Sequence, residues 1–388
     1  MSPISSSKMN HVLLFEALLI ATGAAFNYFK CSPLMPSIIY EFKLSYGLGG
    51  LFSGAFGMPV LVLSIPASLF VQRFNLRKTI IATSLLSIIG SLIISLTHNI
   101  LLLFIGRFLE GVGMALALVA SPYLISRAMV ETHVILGMGV LMMFNPLGNV
   151  LSMVLSSLLY AFSWRAIWLT GIILPLISLI LSSRIDQIIY VAPKTSASLV
   201  EVFKERDVYL VSLFQLGLTF SSMGYLMWLP TCLNEVHKFN ISLASFLTSL
   251  FMAIGIPAPL VASYLISRFK SPKKVLAACF AFLSLLLPFT THINESILAL
   301  YIIVLGFFAG LTPTIIHLYM AKIFGSSSSV GFGIINMLRG FSLLFGPAVM
   351  GVIRDITNSW DLSFFFLSIF TVVSFIASFL LQREIMES

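Results

Sequence analysis

Apolar blocks long enough to cross a bilayer recur from one end of the 388-residue chain to the other, separated by short polar stretches. Backbone N–H and C=O groups in hydrocarbon have no water to bond, so each block must satisfy them internally, as a helix. Composition agrees: 59% of residues are hydrophobic and 9% charged, against about 45–50% and about 25% in soluble domains. Read against the loop signals between them, the blocks predict spans at 12–38, 46–71, 79–97, 100–126, 134–162, 166–183, 208–232, 242–267, 275–291, 296–320, 329–353 and 361–381. The expected fold is all-α and membrane-embedded, with twelve helices and no room for a soluble domain.

The net charge of +8 does not point to nucleic acid, because the basic residues sit in short clusters between blocks, such as "RFNLRK" and "RFKSPKK". Such clusters mark cytosolic loops. Twelve spans place both termini on one side. With that side cytosolic, Lys43, Arg165, Lys238 and Arg354 face out, Lys30, Arg107 and Arg339 fall inside spans, and the other basic residues of the 22 lie inside the cell. The expectation is a multi-pass plasma-membrane protein with cytoplasmic termini. A cysteine at Asn99 or Asn358 should react with an impermeant reagent on intact cells, and one at Ser196 only after permeabilisation; labelling of Ser196 from outside would reverse the topology. The opening "MSPISSSKMNHVLLFEALLIATGAA" has the outline of a signal peptide, but Glu16 interrupts its apolar run and the run continues past it, so it reads as the first span. Cys31, Cys232 and Cys279 form no CxxC or Cys/His spacing, and neither a metal nor a cofactor is expected.

The longest polar interval, residues 184–207, divides the spans six and six. The halves echo each other: "PSIIYEF" recurs in outline as "PTCLNEV", "VQRFNLRK" as "ISRFKSPKK", "NPLG" as "GPAVMG" and "SWRAIW" as "SWDLSFF". These echoes keep their order at separations of about 194–201 residues, which indicates duplication of a six-helix unit, the parallel-repeat plan of one transporter class. The expected organisation is an N-terminal bundle over 1–183, a cytosolic linker over 184–207 and a C-terminal bundle over 208–388.

Several of these stretches resemble motifs of the major facilitator superfamily, and the resemblance runs over essentially the whole chain. "RFLEGVG", with Arg107, Gly111 and Gly113, matches the fourth-helix R-x-x-x-G-x-G pattern; "NPLGN" resembles the fifth-helix G-P-x-x-G type of motif, with Asn145 and Asn149 in place of glycines; "SWRAIW" is similar to the Trp-Arg entry into the sixth helix. "SLFVQRFNLRK" resembles the G-x-x-x-D-R-x-G-R-R loop between helices two and three, with Ser68, Gln72 and Asn75 replacing its Gly, Asp and Gly. Without that Asp, the charge latch attributed to the loop does not carry over. "FNYFKCSPL" also resembles the first-helix F-N-x-R of the cyanate-type permease branch, with Lys30 near the place of its Arg. The resemblance implies two six-helix bundles that rock about a central cavity, lined by helices 1, 4, 7 and 10, flanked by 2, 5, 8 and 11, with 3, 6, 9 and 12 facing lipid. The deep charges respect that plan, since Lys30, Arg107, Glu110 and Arg339 all avoid the lipid-facing helices.

Ionised groups at membrane depth are costly, so each is a candidate for function. Arg107 and Glu110, three apart, share a helix face and either neutralise each other or bind an anion and a proton; the two readings can hold together. Lys30 either snorkels to the headgroups or joins Asn27, on its own face, in binding substrate. Arg339, close to the bilayer centre, is too deep to snorkel and is the leading site residue, tied otherwise only to backbone or Asn336. Asn145, Asn149, Gln215 and Tyr225 are polar positions that either line the site or bond between helices. Glu16 and His317 lie nearer the cytosolic face, where snorkelling and loop contacts are expected.

Three deep cations against one carboxylate make a cavity basic, and basic cavities favour anions. The expected function is secondary active transport of a small organic or inorganic anion by a monomer, with Glu110 as the proton-coupling group. The alternative is a proton-linked efflux antiporter for hydrophobic compounds. Neither a nucleotide loop nor a nucleophile motif suggests an enzyme.

Overall fold

The structure is a computed structural model, and it describes residues 11–73, 75–128, 134–185, 206–324 and 328–381. Twelve helices are long and apolar enough to span a bilayer: α1 His11–Phe42, α2 Tyr46–Ser64, α3 Leu76–Leu96, α4 Ile100–Ile125, α5 Gly137–Leu159, α6 Trp164–Arg184, α7 Arg206–Val236, α8 Ile241–Phe269, α9 Pro272–Phe289, α10 Glu295–Met320, α11 Gly333–Thr357 and α12 Trp360–Ser378. Among the described residues there is no strand. Most of the expected linker lies outside the described residues.

Local chemistry sets the helix ends. Ser45, Ser163, Asn240, Ser271 and Ser359 each accept a backbone N–H of the turn that follows, taking up donors that have no intrahelical partner. Lys43 and Lys238 close α1 and α7 in the left-handed conformation, with φ of 51° and 57°. α1 turns at Lys30, between His11–Phe29 and Cys31–Phe42, because Pro33 offers no N–H to continue the ladder. That turn positions the charge cluster described below.

Helices α1–α6 and α7–α12 form two bundles, and the repeat legible in the sequence is physical. Asn99 accepts the Leu101 N–H at 2.8 Å and Asn294 the Ser296 N–H at 2.9 Å, at matching entries to α4 and α10. The bundles meet in the half of the molecule away from the start of α1, here the distal half. Along α2 and α11 the backbones approach so closely that a Cβ on Gly50 or Gly54 would lie 2.3 Å from the carbonyl oxygen of Pro347 or Leu344. Ser32 on α1 donates to the Leu226 or Met227 carbonyl of α7 at 2.7 and 2.8 Å, and Ser157 and Ser242 bond at 2.9 Å between α5 and α8.

Candidate functional site

Three charged side chains meet in the interior of the first bundle. Lys30 Nζ donates to Glu110 Oε1 at 2.9 Å, and Arg107 donates to Glu110 Oε2 at 2.9 Å. All three are fully buried. Neutral neighbours bond each group as well, and only the buried Arg107 Nε among the three charged heads lacks a hydrogen-bond partner. Lys30 reaches Asn27 Oδ1 at 2.6 Å, Ser91 Oγ at 2.9 Å and the Trp168 carbonyl at 3.2 Å. Glu110 Oε1 accepts further bonds from Ser91 at 2.7 Å and the Trp168 indole at 3.2 Å. Arg107 donates to the carbonyls of Asn27 and Tyr28, at 2.6 and 2.9 Å, just before the turn in α1. Its guanidinium lies 4.7 Å from the Phe56 ring centre, within cation–π range.

Removing an ion from water costs several kcal/mol even after relaxation, and only close pairing with full hydrogen bonding offsets it. Glu110 supplies that offset for two cations at once, so the cluster carries one net positive charge with Glu110 ionised. The fold itself does not demand these charges. The repeat offset that pairs Asn99 with Asn294 and Gly111 with Gly306 sets Ile302 and Leu305 against Arg107 and Glu110, and the offset one residue shorter that pairs Glu41 with Glu235 in the first helix of each bundle sets Gly224 against Lys30. There the second bundle packs Tyr225 between Phe251 and Phe364, with ring centres 5.4 and 5.3 Å away.

Arg339 is placed differently. It is half-buried on α11, and its guanidinium lies 5.7 Å from the ring centre of Phe144 on α5, a contact between the two bundles. Among the described residues it makes no hydrogen bond and no ion pair, and His317 lies within its electrostatic reach. Asn336, one turn earlier, is half-buried, as is Asn145 beside Phe144. Asn149, a turn further along α5, is fully buried with neither amide atom hydrogen-bonded. Gln215 is buried on α7, where its carbonyl accepts the Thr219 hydroxyl at 2.7 Å.

The candidates thus separate: Asn27, Lys30, Arg107 and Glu110 form one cluster, Arg339 faces the other bundle, and Tyr225 sits in an aromatic core. Lys30 does not snorkel; its ammonium turns inward because four acceptors await it there. Glu16, expected near the cytosolic face with snorkelling or loop contacts, is fully buried and accepts a bond from Ser178 on α6. Sequence reasoning missed Trp168, Ser91 and Gly171. Trp168 follows Trp164 by one turn in a stretch already singled out; Ser91 and Gly171 carry no signal without the tertiary structure.

Residues 17–347 match the profile of the Major Facilitator Superfamily. A quinolone resistance transporter of Acinetobacter baumannii is 22% identical over 88% of this chain and 86% of its own. A probable sulfoacetate transporter, SauU, of Cupriavidus necator is 23% identical over 92% of this chain and 90% of its own. Among solved structures, a bacterial homologue of the human lysosomal transporter Spinster, inward-facing and unoccupied, superposes with a TM-score of 0.80 at 14% identity over 96% of both chains. The nucleoside transporter NupG does so with a TM-score of 0.76 at 15% identity, over 96% of this chain and all of its own. These likenesses concern the fold.

Proposed function

The chain belongs to the major facilitator superfamily, and from that premise we propose that it is a monomeric, proton-coupled transporter of a small anionic solute in the plasma membrane, with both termini cytosolic. The observation that carries the anion reading is Arg339, a guanidinium between the bundles with no carboxylate partner among the described residues. A fixed cation at membrane depth is stabilised by an anion that enters beside it. Asn145, Asn149, Asn336 and Gln215 are the polar groups proposed to complete substrate recognition, with Tyr225 behind them in the second bundle. With cytosolic termini, the distal half faces outward and is closed, so the conformation is inward-facing.

The charge cluster supplies the coupling. Protonating Glu110 removes the one negative charge that Lys30 and Arg107 share, raising the cluster from one net positive charge to two. That added charge favours an anion in the cavity, so proton and substrate load together, as symport requires. The second bundle achieves its packing at the equivalent positions with Gly224, Ile302 and Leu305, which argues that the charges serve more than structure.

Sulfoacetate, from the name of one relative, is the first probe, and a quinolone, from the other, tests the efflux reading. Replacing Arg339 with Lys keeps the charge and loses the planar fork, so affinity for the anion should fall roughly ten- to a hundredfold while the protein folds. Binding to purified protein and uptake into proteoliposomes report this. An Arg339→Gln variant that folds and moves the anion like the parent would remove the assignment, and export of the quinolone without anion uptake would favour the antiporter.

A further inference from the structure

Both bundles carry the same knot at the distal end of their first helix, and only one knot is tied to the other bundle. Glu41, near the end of α1, accepts the Trp164 indole N–H at 2.7 Å and Arg165 at 2.5 Å. Its repeat counterpart Glu235, at the end of α7, accepts the Trp360 indole at 2.9 Å and Arg354 at 3.2 Å. Glu235 has a further donor, the hydroxyl of Tyr46 in the first bundle, at 2.6 Å. The Tyr46 ring lies 5.7 Å from both Trp228 and Trp360, with the Arg354 guanidinium 5.2 Å from its centre.

Directly beside this, the backbone N–H groups of Tyr46 and Gly47 donate to the two carboxylate oxygens of Asp355 on α11, at 2.9 and 2.7 Å. These are the first N–H groups of α2 and have no intrahelical acceptor. Ser45 serves only the Leu48 N–H. Asp355 therefore caps α2 from the other bundle, with its negative charge at the positive end of the helix dipole. Gly47 permits the approach: a Cβ there would lie 2.8 Å from Val352 Cγ2 and 3.1 Å from Asp355 Oδ2.

We infer that Asp355 and the Tyr46–Glu235 contact form a latch that holds the distal end closed and sets how often the chain opens there. This rests on the transporter reading proposed above, in which the two bundles rock about a central cavity and the distal end must open in turn. Opening requires α11 to leave α2, which breaks the two cap bonds and the tyrosine bond together. Glu235 keeps Arg354 and Trp360 when that happens, so no charge inside the second bundle loses its partner. Asp355 is exposed and passes to water. A latch with these exits is reversible, whereas the Glu41 knot lies within one bundle and is indifferent to opening.

The test uses the full chain, purified without substrate, with spin labels on cysteines placed at Asn99 and Lys238, one on each bundle at the distal end. The native cysteines are buried. A distance measurement should give a dominant short population and a minor longer one in the parent. Asp355→Ala and Tyr46→Phe should each move the ratio toward a longer distance, on the order of tenfold for Asp355→Ala, the scale of losing a helix cap. Asp355→Asn, which keeps an acceptor, should move it less, and Glu41→Gln, at the untied knot, should leave it unchanged. If an Asp355→Ala/Tyr46→Phe variant that melts like the parent also shows the parental distances, the latch is wrong; should that variant fail to fold, Asp355→Asn combined with Tyr46→Phe decides by the same measure. The distances are read without any solute, so loss of the anion assignment leaves this result standing, and the reverse holds too.

Discussion

Replacing Glu110 with Gln is expected to destabilise the protein by about 3–5 kcal/mol, the cost of leaving a buried charge pair with one partner gone. The loss should be large because Lys30 and Arg107, both fully buried, depend on the same carboxylate. A second variant separates structure from function. Lys30→Met/Arg107→Ile/Glu110→Leu removes all three charges and takes up the apolar character of Gly224, Ile302 and Leu305 in the second bundle. Replacing a buried ionic cluster with apolar groups of similar volume is often neutral or stabilising by about 1–4 kcal/mol, so this triple variant should melt near the parent and far above Glu110→Gln. Accumulation of the anion driven by a pH gradient should be absent from it. Thermal melting in detergent and uptake into proteoliposomes under an imposed gradient are the two measurements. A triple variant that still accumulates substrate uphill would return the cluster to a purely structural role.

The spans were legible because hydrocarbon enforces a length and an apolar composition, and most of the twelve helices begin and end within a few residues of the predicted blocks. Where they differ, a local rule intervened. The apolar block predicts a first span ending at residue 38, yet α1 continues to Phe42, because its last turn is anchored by the Glu41 carboxylate that receives Trp164 and Arg165. A polar residue at a helix end looks like a loop until its partner, over 120 residues away, is known. The echo of "PSIIYEF" with "PTCLNEV" and of "SWRAIW" with "SWDLSFF" was visible as a pattern; its cause, a glutamate that accepts a tryptophan indole in each bundle, was not.

The candidate site divides in the same way. Arg107 and Glu110 stand three apart on one helix, so local geometry alone brings them within reach. Lys30 is 80 residues from Glu110 in sequence, and no periodicity reports that distance. Its inward turn follows from the break in α1 and from acceptors gathered on α1, α3, α4 and α6. Glu16 shows the limit of reading depth from sequence, since proximity to a membrane face does not reveal that Ser178 on a neighbouring helix holds it inside.

Gly171→Ala is expected to disable the cluster without touching any charged residue. An added Cβ would lie 2.1 Å from Lys30 Nζ and 2.2 Å from Asn27 Oδ1, far inside contact distance. α6 has little freedom to retreat, because Trp168 in the preceding turn is fully buried and bonded to both Lys30 and Glu110. The methyl group must therefore displace the Lys30 ammonium from its acceptors. Overpacking alone costs about 1–3 kcal/mol, and disturbing a buried ion pair adds to it, so melting should fall by several degrees and pH-driven accumulation should be lost. A double-mutant cycle with Lys30→Ala identifies the cause. If Gly171 acts by making room for the Lys30 head, the two substitutions are strongly non-additive and the double variant is little worse than either alone, with a coupling of about 0.5–3 kcal/mol as residues in contact show. Additive losses would mean that Gly171 matters to the path of α6 and not to the lysine it faces.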